Sequence, residues 1–367
     1  KGLTPGLVPV IVCSTDSKNE HPELADCVEG FAQKPFFQMA LTELVWQALG
    51  RLGIARKDKQ TELASKSLRV HVPIRVSTLV RLRQMSVATY SRSATGFQLE
   101  IDMGQTLDEK AAVELIERGV SHLWVRDADF PLIIEAVVNA AKDNTKSSEN
   151  KVQLTPMETV EQLQDTMRDA YRVLGYSPEV EKLAAASVSL TLNIVAQVPD
   201  LWRLVQNVQI KKGSYQSSHC AALSVVCCGL VQALGWDRDQ NAIKLSLAAF
   251  LHDVFIETDE VARCRTEADF LNLPGTTTQA DLEKWISHPA RAAEMIRVFP
   301  QMPPDVDQII LHHHEMPDGT GFPGRLTASR IPPLACMFIV AEDLVAYLDR
   351  AENKGSLNEF IKKRKKS

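Results

Sequence analysis

The pattern of hydrophobic and polar positions changes twice along the chain. Up to about residue 56, an apolar run at 7–16 and a short strand pattern before Lys34 alternate with two helix patterns. From 66 to 142, short alternating strand patterns and amphipathic helix patterns follow one another. This order predicts a small α/β segment at 1–56 and a second small α/β module at 66–142, the latter a spacer or interaction domain.

The polar segment 143–157 lacks apolar periodicity and predicts a linker. Beyond it, apolar positions recur at helical spacing, which predicts an all-helical bundle over 158–355. The basic residues of 356–367 are typical of a solvated tail. The predicted fold class is therefore α+β and multidomain, with an α/β N-terminal region and an all-α C-terminal domain. Its long helices are expected at about 156–175, 178–197, 215–235, 240–255, 281–299, 304–314 and 328–350.

Composition narrows the function classes only modestly. The 367 residues are 45% hydrophobic with a formal net charge of −5, which argues against a broad surface for nucleic-acid polymers. No apolar run is long enough to predict a membrane span, and no secretory leader is recognisable. Seven cysteines without a C-x-x-C pair are typical of buried thiols, so we expect a cytoplasmic protein. Six of the nine histidines lie from residue 219 onward, which places the chemistry in the C-terminal half.

Histidines and acids interrupt the apolar helix patterns of that half. His219 begins one pattern, and His252-Asp253 ends the next, with a turn about midway between them. If the two helices form a hairpin, both sites fall at the same end of the pair, so we expect His219 to meet His252 and Asp253. An adjacent His-Asp pair in an apolar helix is costly to bury unless a cation compensates it.

More potential ligands follow in His288, in His313-His314, and in an acid of the final apolar helix, which is either Glu342 or Asp343. Imidazole and carboxylate groups suit Fe, Mn or Zn, and a carboxylate has two oxygens with which to bridge two metals. The number of ligands exceeds the needs of one metal, so a two-metal site is predicted. Two such metals suit the hydrolysis of a phosphate ester.

These residues carry a family resemblance. His219, His252-Asp253, His288 and the stretch "HHEMPDGTGFP", in this order, resemble the HD-GYP family of HD-superfamily phosphohydrolases. Its signature H-H-E-x-x-D-G-x-G-Y-P is matched over most of its length at 313–323, and the resemblance covers about 158–355. It implies a cyclic di-GMP phosphodiesterase of bacterial second-messenger signalling, which opens the ring to the linear dinucleotide with two divalent ions, Fe or Mn.

The resemblance also implies a ligand set and catalytic roles for Asp253 and His252. One metal would be held by His219, His252, Asp253 and Glu342. The second would be held by Asp253, as a bridge, with His288, His313 and His314. Because Tyr215 stands where three-metal members carry Glu, two metals are expected. The substrate contacts implied are Asp318, Gly319, Gly321, Phe322 and Lys354, whereas His312 is expected outside the metal shells.

One departure from the family is among the metal ligands, where Glu342 stands in place of the usual Asp and keeps the charge. The others concern the substrate contacts. Ile256 replaces a lysine expected to contact a phosphate, and Phe322 replaces the signature Tyr. Ala351 stands where an arginine is common, although Arg350 is adjacent and Lys354 is nearby. Hydrolysis is therefore expected to be slow. The alternatives are a module that binds cyclic di-GMP or a signalling protein without hydrolysis, and a phosphohydrolase of another nucleotide. A second copy of the chain is a further candidate partner.

The first segment resembles the last two β/α units of a response-regulator receiver domain. Ser14 or Thr15 would end one strand, and Lys34, before a cis Pro35, would end the next. We therefore expect these two strands to be parallel neighbours. The strands that would carry the acidic pocket and the phospho-accepting Asp are not found in this sequence, so an unrelated α/β cap is the alternative.

Overall fold

The computed structural model describes two compact units. One lies within 1–137 together with 166–181, and the other within 138–165 together with 182–367. The residues described are 11–14, 30–33, 71–93, 96–143, 155–198, 200–206, 208, 215–236, 238–256, 258–275, 278–297, 299, 301–350 and 357–364. The predicted domain boundaries stay predictions. Residues 166–181, from the predicted helical region, belong to the first unit.

Strands β1 (Ile11–Ser14) and β2 (Gly30–Gln33) pair in parallel, with Ile11 opposite Gly30 and Ser14 opposite Gln33. The expected parallel pairing of these two segments is confirmed. Lys34 and Pro35 lie outside the described residues, so the cis bond and the receiver resemblance stay predictions.

A four-stranded antiparallel sheet forms the centre of the N-terminal unit. Its strands are β3 (His71–Arg75), β4 (Thr89–Ser93), β5 (Gly96–Ile101) and β6 (His122–Arg126), in the spatial order β3-β6-β4-β5. Alternate residues such as Val72, Ile74, Leu123 and Val125 are fully buried, so one face of the sheet faces a core. Helices α1 (Val76–Leu82), α2 (Glu109–Glu117) and α3 (Phe130–Asp143) contribute to the buried residues of the unit.

The sequence patterns missed α1 and β4. Strand β4 reads TYSRS, whose polar residues lack the apolar alternation of a half-buried strand. It forms because its backbone pairs with both β5 and β6. Helix α1 follows β3 without a loop and is only seven residues long, too short for a helical period to be visible.

The C-terminal unit is helical. Its core helix is α7 (Tyr215–Leu234), which packs most extensively against α8 (Arg238–Leu251). The other helices are α4 (Pro156–Leu174), α5 (Pro178–Gln197), α6 (Leu201–Gln206), α9 (Asp259–Ala262), α10 (Glu267–Leu271), α11 (Gln279–Ile296), α12 (Val306–Leu311), α13 (Pro333–Arg350) and α14 (Leu357–Arg364). The residues of α4 and α5 between 166 and 181 belong to the first unit, where Asp169 accepts a hydrogen bond from Arg75 at 3.2 Å.

Helix α7 is buried on almost every side, from Tyr215 through Gly229. Small residues permit this, since a Cβ at Gly229 would lie 2.6 Å from the side chain of Leu204. Among the described helices, α7 is also the one with the length and hydropathy to cross a membrane, but 78% of that stretch is buried inside the protein. Such burial is what a core helix requires, so the finding is weak evidence for a membrane span.

Candidate metal centre

The α7–α8 hairpin brings the first group of ligands together. His219 lies in the first turns of α7, and His252 directly follows the last residue of α8. Their ring centroids are 5.7 Å apart, as the hairpin spacing predicts. Helix α13 adds Glu342, and the potential ligand atoms of the three residues all lie within 4.8 Å of one another. Of the two acids considered in this helix, Glu342 is therefore the one at the site. We call His219, His252 and Glu342 cluster 1.

A second group lies beside the first. It contains Asp253, His288 of α11, and His313 and His314 after α12, again with ligand atoms within 4.8 Å of one another. The three histidines are buried, and their rings pack on one another at centroid distances of 4.3–5.1 Å. We call these four residues cluster 2.

Asp253 lies between the two clusters. Its Oδ2 atom is 3.3 Å from Nε2 of His252 in cluster 1. Its Oδ1 atom is 3.2 Å from Nε2 of His288 and 3.8 Å from Nε2 of His313 in cluster 2. One carboxylate thus turns one oxygen to each cluster, which is the arrangement a bridging ligand needs.

The backbone fixes which imidazole nitrogen faces the site. The Nδ1 atoms of His252, His288 and His313 each lie 2.5–3.0 Å from the carbonyl oxygen three residues earlier in the chain. Since a carbonyl oxygen only accepts, Nδ1 carries the hydrogen in each ring and Nε2 presents its lone pair to the site. Such contacts commonly orient histidine ligands of metals.

Helices α8 and α12 end before the ligand residues that follow them, which corrects one expectation from the sequence. The predicted helices 240–255 and 304–314 end at Leu251 and Leu311, so His252-Asp253 and His312–His314 lie in the turns that follow. In these turns adjacent residues can face the same site, which their 100° separation in a helix would not permit. His312 stays half-buried outside both clusters, with Nδ1 2.8 Å from the carbonyl of Gln308.

The donor groups fit divalent cations. Both ring nitrogens of His219 and Oε2 of Glu342 are buried and have no hydrogen-bond partner in the described part of the chain. The Nε2 atoms of His288 and His313 face each other at 3.2 Å, although both present lone pairs. Unpaired buried polar atoms are costly, and a cation between such lone pairs would remove the cost.

The charge states also suit metal binding. Burial, and secondarily the proximity of His252, lower the pKa of His219 to about 3. Burial likewise holds the pKa of His313 and His314 well below the usual histidine value. Burial alone would raise the pKa of Asp253, but the effect of the neighbouring His252 and His288 outweighs it and keeps that pKa well below its usual value. Near neutral pH His219, His313 and His314 are therefore neutral and Asp253 is ionised, which are the ligating forms.

Residues 208–361 match the family model described as HD domain. Residues 208–361 are therefore similar to HD domains, and we call this region the HD domain after that similarity. One curated relative is the cyclic di-GMP phosphodiesterase PA4108 of Pseudomonas aeruginosa, which is 32% identical over 136 residues. That match covers 36% of this chain and spans about a third, 31%, of the length of the relative.

A solved structure shares the fold. It is Bd1817, a HDG"Y"P protein from Bdellovibrio bacteriovorus, with a TM-score of 0.51 and 19% sequence identity. The likeness covers 76% of this chain and 88% of that chain. At this identity it concerns the fold alone, and it supports the predicted helical HD-type architecture.

The glycine-rich turn of the HD domain is held from inside by Glu315. This fully buried carboxylate accepts hydrogen bonds from the backbone N–H groups of Gly324 at 2.5 Å and Leu326 at 2.7 Å. Gly319 has φ +80°, and a Cβ at Gly321 would lie 2.2 Å from the Met316 nitrogen, so both positions require glycine. Glu315 therefore caps the turn.

Two of the predicted substrate contacts have other partners in the structure. Phe322 is buried and stacks on His314 at 4.6 Å, so its ring orients a cluster 2 histidine. Exposed Asp318 accepts hydrogen bonds from the backbone and hydroxyl of Thr320. Lys354 and Ala351 lie outside the described residues. The substrate contacts as a set stay predictions.

The sequence patterns missed Arg265. This arginine lies in the loop between α9 and α10, and its side chain, 9% exposed, forms an ion pair with Glu342 of cluster 1. Its carbonyl oxygen is 3.3 Å from Nδ1 of His314 in cluster 2. No motif in the sequence covers Arg265, so nothing marked it as a candidate site residue.

Acid should destabilise the metal-free protein through the buried histidines. In the unfolded chain a histidine titrates near 6.5, whereas His219 in the folded chain titrates near 3. Between these values the unfolded state binds more protons, so the free energy of unfolding falls as the pH drops through about 6.5. We expect a loss on the order of 2 kcal/mol for His219 alone at about pH 5. Urea unfolding of chelator-treated protein at two pH values measures this, and a His219→Gln variant with the wild-type pH dependence would contradict it.

Glu315→Ala should destabilise the HD domain by on the order of 2–4 kcal/mol, because two buried backbone N–H groups lose their acceptor. Urea unfolding of the metal-free protein measures the loss. The matched control is Asp318→Ala in the same turn, which removes an exposed acceptor and should cost about 0.5 kcal/mol or less. Equal losses in the two variants would show that Glu315 does not hold the turn.

Proposed function

We propose that the HD domain of this chain hydrolyses one phosphodiester bond of cyclic di-GMP, giving the linear dinucleotide, with two divalent metal ions. The observation that carries the proposal is the position of Asp253, which turns one carboxylate oxygen to each of two adjacent groups of buried ligands. The signature residues at 313–323 and the similarity to a relative named as a cyclic di-GMP phosphodiesterase support the substrate.

Each cluster would hold one ion. His219, His252, Glu342 and Asp253 would bind the first, and Asp253, His288, His313 and His314 the second. Two divalent ions, when bound, supply a nucleophile from water at neutral pH and neutralise charge on the phosphate. Iron or manganese is the proposed metal, since imidazole with carboxylate suits both.

The protein's own contribution is to preorganise these groups. The carbonyls behind His252, His288 and His313 fix the rings and their protonation. Phe322 stacks on His314 at 4.6 Å, and Trp285 meets it edge to face at 5.3 Å. Ligands held in this way need little rearrangement when a charged substrate arrives. The turn at 318–321 would lie beside the bound phosphate.

Slow hydrolysis is part of the proposal. Ile256, at the position of the family's lysine, is 6% exposed and offers only its backbone to polar neighbours, through Gln216 and Asp253. Losing one preorganised charge contact costs about 10²–10³ in rate. The same observation favours a second candidate function, a module that binds cyclic di-GMP or a signalling protein without hydrolysing it.

The test is to load the full chain with Mn²⁺ or, anaerobically, with Fe²⁺ and to follow cyclic di-GMP by chromatography while measuring its binding by calorimetry. We expect slow release of the linear dinucleotide, absent when the metal is removed. Binding without any turnover would favour the second candidate. Neither binding nor turnover would exclude both and leave another nucleotide or a protein-directed role.

We propose a cytoplasmic location and a place in response-regulator signalling, in which the α/β segments act as input or spacer elements. A signalling protein and a second copy of the chain are the proposed macromolecular partners.

A further inference from the structure

Arg265 touches both clusters and belongs to neither ligand set. Its backbone is fixed, because its N–H donates to Asp269 at 3.0 Å and its carbonyl meets Nδ1 of His314 at 3.3 Å. The neighbouring Thr266 caps α10 through a capping box with Asp269. The arginine is therefore held at a defined place beside the centre.

The side chain of Arg265 is aimed at the ligands. Its Nη1 atom is buried and pairs with Oε1 of Glu342, yet it makes no hydrogen bond of normal geometry among the described residues. The other carboxylate oxygen of Glu342, Oε2, is the unpaired one. A guanidinium has five N–H donors, so one carboxylate oxygen leaves several of them for another acceptor.

A buried arginine with spare donors needs a reason, since burying a guanidinium is costly. Burial lowers the pKa of Arg265 from its ordinary value, while the nearby Asp343 and Asp253 oppose that effect. The group stays charged because an arginine is not deprotonated in proteins. A planar cation beside a proposed phosphodiesterase centre matches the shape and charge of a phosphate.

Arg263, two positions earlier, does not share this arrangement. Arg263 pairs with Asp349 at 3.0 Å and lies over the ring of Tyr215 at 3.8 Å, so its charge and its face are both engaged by residues that are not ligands. At position 256, where a phosphate-binding lysine would be expected, the buried side chain is apolar. Arg265 thus has both the charge and the free donors that Ile256 lacks.

We propose that Arg265 binds the substrate phosphate of this centre, in place of a lysine at position 256, while it holds Glu342 with Oε2 toward His219 and His252. The inference rests on the proposed function for the identity of the substrate. It assigns a phosphate-binding and positioning role to a residue outside the family signature.

The experiment measures the affinity of inorganic phosphate for the Mn²⁺-loaded full chain by calorimetry, together with metal content. We expect Arg265→Gln to weaken phosphate binding roughly 10- to 100-fold, the size of a hydrogen bond to a charged group. Arg263→Gln is the matched control and should change the affinity less than about twofold. An Arg265→Gln protein that keeps its metals and the wild-type phosphate affinity would overturn the inference.

Two further variants keep the test decisive if Arg265→Gln folds or loads poorly. Arg265→Lys keeps the charge, so it should retain both metals but bind phosphate several-fold more weakly, because the fork of donors is lost. Adding Ile256→Lys to Arg265→Gln should restore most of the affinity, whereas Ile256→Lys alone should add little. If Ile256→Lys raises the phosphate affinity equally in both backgrounds, the two positions act independently. That result would contradict the proposal that Arg265 takes the place of a lysine at position 256.

Phosphate affinity does not depend on turnover, so the two proposals fail separately. If the wild-type chain binds phosphate through Arg265 but does not open cyclic di-GMP, the proposed function fails and the assignment of Arg265 stands. If it opens cyclic di-GMP and Arg265→Gln leaves phosphate binding unchanged, the proposed function stands and this inference fails.

Discussion

Asp253→Ala should lower the metal content of the purified protein sharply and abolish the turnover of cyclic di-GMP. The carboxylate of Asp253 reaches both clusters, so its removal takes a ligand from each proposed ion at once. In the metal-loaded protein it also leaves buried cationic charge without a partner, and an uncompensated buried charge costs about 3–5 kcal/mol. Elemental analysis and a chromatographic assay on the same preparation measure both effects.

The matched control for Asp253→Ala is His312→Ala. His312 lies beside His313 in sequence but outside both clusters, so this variant should keep two ions per chain and most of the activity. An Asp253→Ala protein that kept both ions would show that this carboxylate does not bridge them.

His219→Ala and His288→Ala should each remove one ion and leave the other. His219 belongs to cluster 1 alone and His288 to cluster 2 alone, so the metal content of each variant should fall from two ions per chain toward one. Activity should fall by at least on the order of 10²-fold in both, since even contacts behind metal ligands are worth 10–100-fold. The double variant should hold almost no metal.

Comparing these variants shows whether the two clusters bind two ions independently or share a single ion. If either single variant loses all bound metal, the clusters do not bind independently. If neither loses any, the groups that the structure brings together are not metal ligands, and the buried unpaired nitrogens of His219 need another explanation.

Spacing in the sequence predicted much of the site. The turn midway between His219 and His252 placed both at one end of a hairpin, and their rings are 5.7 Å apart. The spacing was informative because a helix rises by a constant amount per residue, so residues at similar distances from the bend of a hairpin lie side by side. The apolar pattern of α13 alone could not choose between Glu342 and Asp343, because these adjacent residues interrupt it equally, and only the family resemblance implied Glu342. Packing decides it, since Glu342 is 3% exposed and lies within cluster 1.

Features that depend on tertiary contacts escaped prediction. The ends of α8 and α12 were set too late by several residues, since the ligands themselves face inward and extend the apparent helical pattern. Strand β4 is formed by its neighbours rather than by its own composition. Arg265 lies in a loop between two short helices, and its partner Glu342 is 77 positions later, so nothing local reveals the pair.

The most direct test of the two-metal centre is an anomalous-scattering measurement on crystals of the Mn²⁺-loaded full chain. Two peaks are expected, one among His219, His252 and Glu342 and one among His288, His313 and His314, with Asp253 between them. A single peak, or peaks away from these residues, would contradict the account.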